Sequence, residues 1–92
     1  MKNKVTIENH EYEVIKNHRE AYNEEDFMNR ISDYFFPYDY IVGDYAYNKL
    51  RLKGFYEADN KAVKDLNNIK YVEAYLENNC AVDCRHFILK KT

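Results

Sequence analysis

The chain has 92 residues, a formal net charge of −2 and an aromatic share of 16% that is mostly tyrosine. This length predicts a single domain, residues 1–92, with a modest core that needs neither metal nor disulfide. The near balance of charge excludes a strongly basic, nonspecific binder of polyanions, although it is compatible with a local basic patch.

The cysteine count and the N-terminus indicate where the protein resides. Cys80 and Cys84 are the two cysteines, and the first residues lack the apolar run of a signal peptide. No stretch approaches the ~18 consecutive apolar residues of a membrane-spanning helix. We therefore expect a reduced cytoplasmic protein without a membrane partner.

Residues 4–18 have the alternation of a β-hairpin. A two-residue turn at Asn9 and His10 would pair Ile7 with Tyr12 and bring the apolar positions of both strands to one face.

The next predicted element is a helix that begins at Asn23 and ends before Pro37. Asn23 can cap its N-terminus, and residues 24–26 are acidic, which suits the positive end of the helix dipole. Proline ends the helix because the residue before it is driven away from helical geometry. Apolar residues at helical spacing predict one buried stripe: Phe27, Met28, Ile31, Tyr34 and Phe35.

Two strands, residues 38–44 and 48–56, form the predicted central hairpin, which contains both glycines of the chain. The second strand alternates leucine with lysine or arginine, so its two faces differ in polarity. A connection through 45–48 that sets Asp44 opposite Lys49 would gather the aliphatic side chains of both strands on one face.

The last third of the chain predicts a polar connection, a helix and a strand. Residues 57–67 form the connection, and a helix of about 69–77 would be capped by Asn67 or Asn68. The final strand is predicted at 85–90, with its apolar residues divided between two faces: Phe87 and Leu89 against Ile88.

The predicted element order is ββαββαβ. Without its first strand, this order is that of ferredoxin-like folds. We therefore predict a two-layer α+β domain, with a mainly antiparallel five-stranded sheet and two helices.

The central hairpin also carries a family resemblance. Its residues are Asp-Tyr-Ile-Val-Gly-Asp-Tyr at 39–45, Tyr47, and Leu-Arg-Leu-Lys-Gly-Phe at 50–55, together with Cys80, Cys84 and Phe-Ile-Leu at 87–89. This pattern resembles the YutD-like family, with Tyr45 at a position where tryptophan is the more usual residue. The resemblance implies a small cytoplasmic protein of Gram-positive bacteria and brings with it no activity or cofactor.

Tyrosine and arginine near the central turn suggest a surface that binds another protein. Ten tyrosines are too many to bury in 92 residues, and protein interfaces are enriched in tyrosine and arginine. We expect Tyr45, Tyr47 and Arg51 to anchor an unidentified protein partner, with Lys53 and Phe55 beside them. The sequence leaves both a monomer and a dimer open.

The alternative is RNA binding by a basic and aromatic strand face. Lys-Gly-Phe-Tyr at 53–56 resembles part of the third strand of an RNA-recognition motif, but the pattern fails at Tyr56 and at Glu57. The residues of this alternative are Tyr40, Arg51, Lys53 and Phe55.

Two further clusters have a chemical and a structural interpretation. Cys80, Cys84 and His86 have a spacing that zinc permits, but no second cysteine pair accompanies them, and buried structural cysteine is commoner. Asp39 and Asp44 could serve acid–base chemistry with Arg51 and Tyr47, or simply hold a turn. The sequence contains no nucleophile–base motif, so we predict no catalytic residue, metal site or cofactor.

Overall fold

The protein is described by a computed structural model that covers residues 4–46, 49–79 and 85–92. The strands are β1 (Lys4–Ile7), β2 (His10–His18), β3 (Tyr40–Ala46), β4 (Lys49–Phe55) and β5 (His86–Lys91). The α-helices are α1 (Glu24–Arg30) and α2 (Val72–Asn79), and three 3-10 helices span Asp33–Phe35, Asp65–Asn67 and Ile69–Tyr71. The α+β class and the five-stranded antiparallel sheet with two α-helices are thus confirmed, and the element order differs from the predicted ββαββαβ by the three 3-10 helices.

The strand order in the sheet differs from the ferredoxin-like expectation. The order is β1-β2-β5-β3-β4, and each neighbouring pair is antiparallel. The last strand in sequence therefore lies at the centre. It suits that place because Phe87 and Leu89 are buried on one face and Ile88 on the other.

The two α-helices pack on opposite faces of the sheet. Phe27 of α1 joins the cluster that contains Phe87 and Leu89. Leu76 of α2 joins a second cluster with Ile88. Successive strand residues point to opposite faces, so these are two separate cores. The layering therefore corrects our two-layer prediction, because each face of the central strands carries a helix.

The N-terminal hairpin forms with a register different from the predicted one. Val5 lies opposite Tyr12 and Ile7 opposite His10, so the turn consists of Glu8 and Asn9. Glu8 has a φ of 54°, in the left-handed region that such turns require. The apolar residues still share one face because the shift changes each partner by two positions.

The central hairpin is also displaced by two positions from its predicted register. Asp44 lies opposite Arg51 and Gly43 opposite Leu52. The side chains keep the predicted faces, since the period of a strand is two. Residues 47 and 48, between β3 and β4 in sequence, lie outside the described residues.

Helix α1 begins where it was predicted and ends earlier. Asn23 caps it, with its side-chain oxygen accepting the Asp26 N–H at 3.0 Å. At Ile31 the backbone becomes extended, and a 3-10 turn follows after Ser32. Serine and aspartate favour such non-helical turns. The continuous stripe to Phe35 was therefore wrong, and Tyr34 is exposed.

The second helical segment starts as a 3-10 turn. The side chain of Asn68 accepts the Lys70 N–H at 3.0 Å, which confirms this residue as the cap. The α-helix proper, α2, then starts at Val72. None of the helices in the described parts of the chain has the length and apolar character needed to cross a bilayer.

Candidate functional site

A buried carboxylate and an arginine are joined across the central hairpin. Asp44 is 1% exposed, and both of its oxygens accept hydrogen bonds from Arg51, Oδ1 from Nε and Oδ2 from Nη2, each at 2.9 Å. The two residues face each other directly in the β3–β4 ladder. The hydrogen bonding of Arg51 to the Asp44 carboxylate, in which Arg51 donates, raises the pKa of Arg51. Such two-point contacts fix geometry as well as charge.

The pair belongs to a polar row that crosses four strands. His86 of β5 lies opposite Asp44 of β3, and its ring stacks on His18 of β2 with centroids 4.8 Å apart. Tyr75 of α2 lies near this row. Its pKa is raised, mainly by burial and additionally by the charge of Asp44. The sequence did not indicate this row, because its histidines come from distant strands.

Tyr45 lies on the opposite face of the hairpin from Arg51. Its hydroxyl donates to Oδ2 of Asp26 at 2.9 Å, and the guanidinium of Arg85 lies 4.5 Å from its ring centroid. Burial is the main cause of its raised pKa, and the Asp26 hydrogen bond adds to it. The structure therefore does not bring Tyr45 and Arg51 into one patch. Tyr47, the third predicted anchor, lies outside the described residues.

Two aromatic rings of the RNA alternative are buried under α2. Phe55 is 1% exposed and meets Tyr75 edge-on, with centroids 5.5 Å apart. Tyr40 is also buried, and its hydroxyl donates to Glu57 at 2.9 Å. Burial chiefly, together with the Glu57 hydrogen bond, raises the pKa of Tyr40 to about 12. In this arrangement neither ring presents a face on which a base could stack.

Lys53 links the hairpin to α2. Its ammonium group lies 5.3 Å from the ring centroid of Phe55 and 5.6 Å from that of Tyr75. These are cation–π distances. Lys53 is partly exposed, so its charge also faces solvent beside Arg51.

Asp39 has a local structural part, away from Asp44. Its Oδ2 accepts hydrogen bonds from the Glu57 N–H at 2.9 Å and the Asn60 side chain at 3.0 Å. Asp39 thus stabilises the segment that follows β4 through hydrogen bonds to Glu57 and Asn60. The two carboxylates that we considered for acid–base chemistry are not brought together.

The cysteine–histidine cluster is only partly visible. Cys80 and Cys84 lie outside the described residues, and His86 stacks on His18. Among residues 4–46, 49–79 and 85–92, no group of three potential metal ligands is assembled.

The outer edge of β4 is the surface that the sequence did not foresee. β4 ends the sheet on one side, and no other described strand pairs with Lys49–Phe55. At Tyr56 the N–H donates to Asn67 and the carbonyl accepts from Ile69, so both groups point away from β3. Since backbone direction alternates along a strand, the same groups of Leu50, Leu52 and Gly54 point outward as well.

Shallow depressions adjoin this edge on its α1 side. One lies among Arg30, Phe35, Leu50 and Leu52, and the next continues to Gly54 and Leu66. Leu66 is 82% exposed and Tyr34 65% exposed, and together they add apolar and aromatic area beside the edge. The sequence signal that could have indicated an edge strand was the alternation of Lys49, Arg51 and Lys53. Basic side chains are common on edge strands, where they disfavour pairing with other chains.

Comparison with known proteins agrees with the resemblance seen in the sequence. The family described as "Putative antitoxin YutD-like" matches residues 6–90. The "Putative antitoxin YutD" of Bacillus subtilis strain 168 is 39% identical over 87 residues, 95% of this chain and 96% of that protein. The solution NMR structure of YutD from B. subtilis aligns with a TM-score of 0.81 and 38% identity, over 97% of this chain and 81% of that one. This chain therefore belongs to the YutD-like family.

Proposed function

We propose that this chain is a cytoplasmic protein-binding module and that it contacts its partner through the central hairpin. The B. subtilis relative is named "Putative antitoxin YutD". Applied to this chain, that name implies a macromolecular partner. The observation that supports the proposal most is the open edge of β4, with exposed Leu66 and Tyr34 beside it.

The composition of this edge supports a protein partner. Lys49, Arg51 and Lys53 supply positive charge, while Leu52 and Leu66 supply apolar area. Protein interfaces combine apolar anchors with a charged rim in this way. Burial of Phe55 and Tyr40 favours this function over base stacking, which needs open rings.

The predicted anchors therefore divide in two. Arg51 and Lys53 contribute to the proposed binding edge, while Tyr45 sits on the other face beside Asp26 and Arg85. Tyr47 remains a sequence prediction.

The test is affinity capture of the tagged protein from lysate of its own host, with and without nuclease. A double variant, Lys49→Glu with Lys53→Glu, reverses charge along the edge. The matched control, Lys61→Glu with Lys70→Glu, makes the same change in net charge at exposed lysines elsewhere. We expect a partner protein whose capture persists after nuclease treatment. The control variant should capture this protein, and the edge variant should not.

Two results would contradict the proposal. Equal capture by both double variants would place the contact away from β4. Recovery of RNA, with proteins that vanish after nuclease treatment and with a steep loss at higher salt, would favour the nucleic-acid alternative. Thermal unfolding of each variant shows whether the fold is intact.

A further inference from the structure

We infer that β4 binds an extended segment of the partner as a sixth strand, and that acidic and apolar side chains alternate along this segment. The inference rests on the proposed function and specifies how the partner is recognised. It is a case of β-strand addition, in which an edge supplies backbone hydrogen bonds and the side chains supply specificity.

The backbone of β4 has the groups that an added strand requires. The outward N–H and C=O groups belong to Leu50, Leu52 and Gly54, and no described strand pairs with them. Leu52 is partly exposed, whereas Leu50 and Gly54 are buried, so the side chains beside the edge, Tyr38 among them, have to turn outward when a strand is added. Tyr56, the residue after β4, forms a parallel bridge with Asn68. The Tyr56 N–H donates to the Asn67 carbonyl at 2.6 Å, and the Tyr56 carbonyl accepts from the Ile69 N–H at 2.9 Å. This internal pairing is a single bridge just beyond the end of β4, and it uses the same outward direction of the backbone.

The same bridge limits how long the added strand can be. Residues 67–69 occupy the edge at Tyr56, so the part of β4 whose outer side pairs with no described strand is Lys49–Phe55, seven residues. A seven-residue segment is of ordinary strand length.

Charge determines one face of the added strand. Lys49, Arg51 and Lys53 alternate on the α2 side of the sheet, and Arg51 is 45% exposed although it pairs with Asp44. Among the described residues, neither Lys49 nor Lys53 takes part in an ion pair. Side chains on neighbouring strands lie ~5 Å apart, so carboxylates on the incoming strand would meet these cations.

Apolar area determines the other face. Leu52 is partly exposed on the α1 side, and the adjoining depressions are lined by Phe35, Tyr38 and Leu66. Arg30 lines the same area together with Leu50 and Leu52. Apolar side chains of the incoming strand would cover these groups.

A second copy of this chain is a poor occupant. Antiparallel pairing of β4 with β4 would set the Lys49–Lys53 cations of one copy against those of the other. Like charges directly opposite each other destabilise a pair of strands. The positive charge of β4 thus disfavours pairing between two copies of this chain. The same charge is complementary to an acidic segment.

The experiment measures amide hydrogen exchange of the full, isotope-labelled chain by NMR with two synthetic peptides. One peptide alternates Glu and Val over seven residues, and the other alternates Lys and Val. With the acidic peptide at ten times its Kd, we expect exchange at Leu50, Leu52 and Gly54 to slow by about tenfold. The amides of Arg51 and Lys53 should change far less, because they already face β3.

Charge reversal provides the matched test of specificity. In the variant with Lys49→Glu and Lys53→Glu, we expect the preference to switch to the Lys–Val peptide, whereas Lys61→Glu with Lys70→Glu should leave it unchanged. Absence of protection at the outward amides, equal binding of both peptides, or an unchanged preference in the edge variant would each overturn the inference.

Failure of this inference and of the proposed function are distinguishable. If neither peptide protects the edge while lysate capture still depends on Lys49 and Lys53, the module binds protein by another geometry. If the acidic peptide binds as expected while the edge variant and the control variant capture protein equally, strand addition is supported and the proposed function is contradicted.

Discussion

The ring of Phe87 fills the space that a side chain at Gly43 would need. The two residues lie opposite each other on β5 and β3, and a Cβ built on Gly43 would overlap the Phe87 ring. Phe87 is fully buried and meets Phe27 and Tyr22 edge-on, at centroid distances of 6.1 and 5.2 Å. Gly43 is therefore required by close packing, since its φ is not positive.

Substitution of Gly43 by alanine should destabilise the protein. Phe87 has no free space to move into, so we expect a loss of about 1–3 kcal/mol in the free energy of unfolding, as in other overpacked cores. The control is Gly54→Ala, where the ring in the way belongs to the partly exposed Tyr38 and can turn outward. Denaturant unfolding measures both. A larger loss at Gly54 would contradict this account of the packing.

Substitution of Asp44 by asparagine should also destabilise the fold. It removes a charge-assisted two-point contact while a polar group remains buried, and we expect a loss of about 1.5–3 kcal/mol. Arg51→Lys keeps the charge without the planar fork and should cost less. A variant at Asp44 that unfolds at the wild-type denaturant concentration would show that the pair is not needed.

Removal of the Tyr12 hydroxyl should stabilise the protein. Tyr12 is fully buried, and its hydroxyl has no hydrogen-bond partner among the described residues. We expect Tyr12→Phe to gain about 1 kcal/mol by relieving this desolvation. Tyr40→Phe is the matched control and should lose stability, because that hydroxyl donates to Glu57. A destabilised Tyr12→Phe variant would indicate that the hydroxyl has a partner after all.

High pH should weaken the fold through its tyrosines. Burial chiefly raises the pKa of Tyr22 and of Tyr40 to about 12, and a hydrogen bond with Tyr34 chiefly raises that of Tyr38 to about 12, from a usual value of 10.0. The folded state thus holds these protons more tightly than the unfolded state does. Their stabilisation is complete below pH 10 and declines as pH rises towards 12.

The measurement is denaturant unfolding over this alkaline range, with tyrosinate absorbance as a second signal. Tyr22→Phe should reduce the pH dependence, while Tyr71→Phe, on an exposed ring, is the control. Stability that stays constant to pH 12 would contradict the role given to burial.

Local patterns were sufficient to predict most of the elements. The acidic turn after Asn23 located the start of α1, and alternation located the strands. The predicted registers of both hairpins were wrong by two positions. A shift of two residues keeps every side chain on the same face, so the alternation of apolar and polar residues does not distinguish the two registers. Face polarity and the two hairpins could be predicted from the sequence, whereas the register within each hairpin could not.

The site was less predictable because it depends on contacts between distant segments. Tyr45 and Arg51 are close in sequence yet lie on opposite faces, because Arg51 pairs with Asp44, and Tyr45 is the next residue along β3. The burial of Phe55 depends on where α2 packs, and the open edge of β4 depends on strand order. Neither can be inferred from the hairpin's own residues.

The central place of β5 bears on how the chain folds as it is synthesised. β5 follows every other described strand in sequence, yet it lies between β2 and β3. Before β5 leaves the ribosome, the two halves of the sheet have no strand to join them, and each has an additional unpaired edge. The hairpins can form early from local contacts, but closure of both cores has to wait for the C-terminal strand. Nascent chains stalled before residue 86 would thus be open to proteases and to wrong strand pairing.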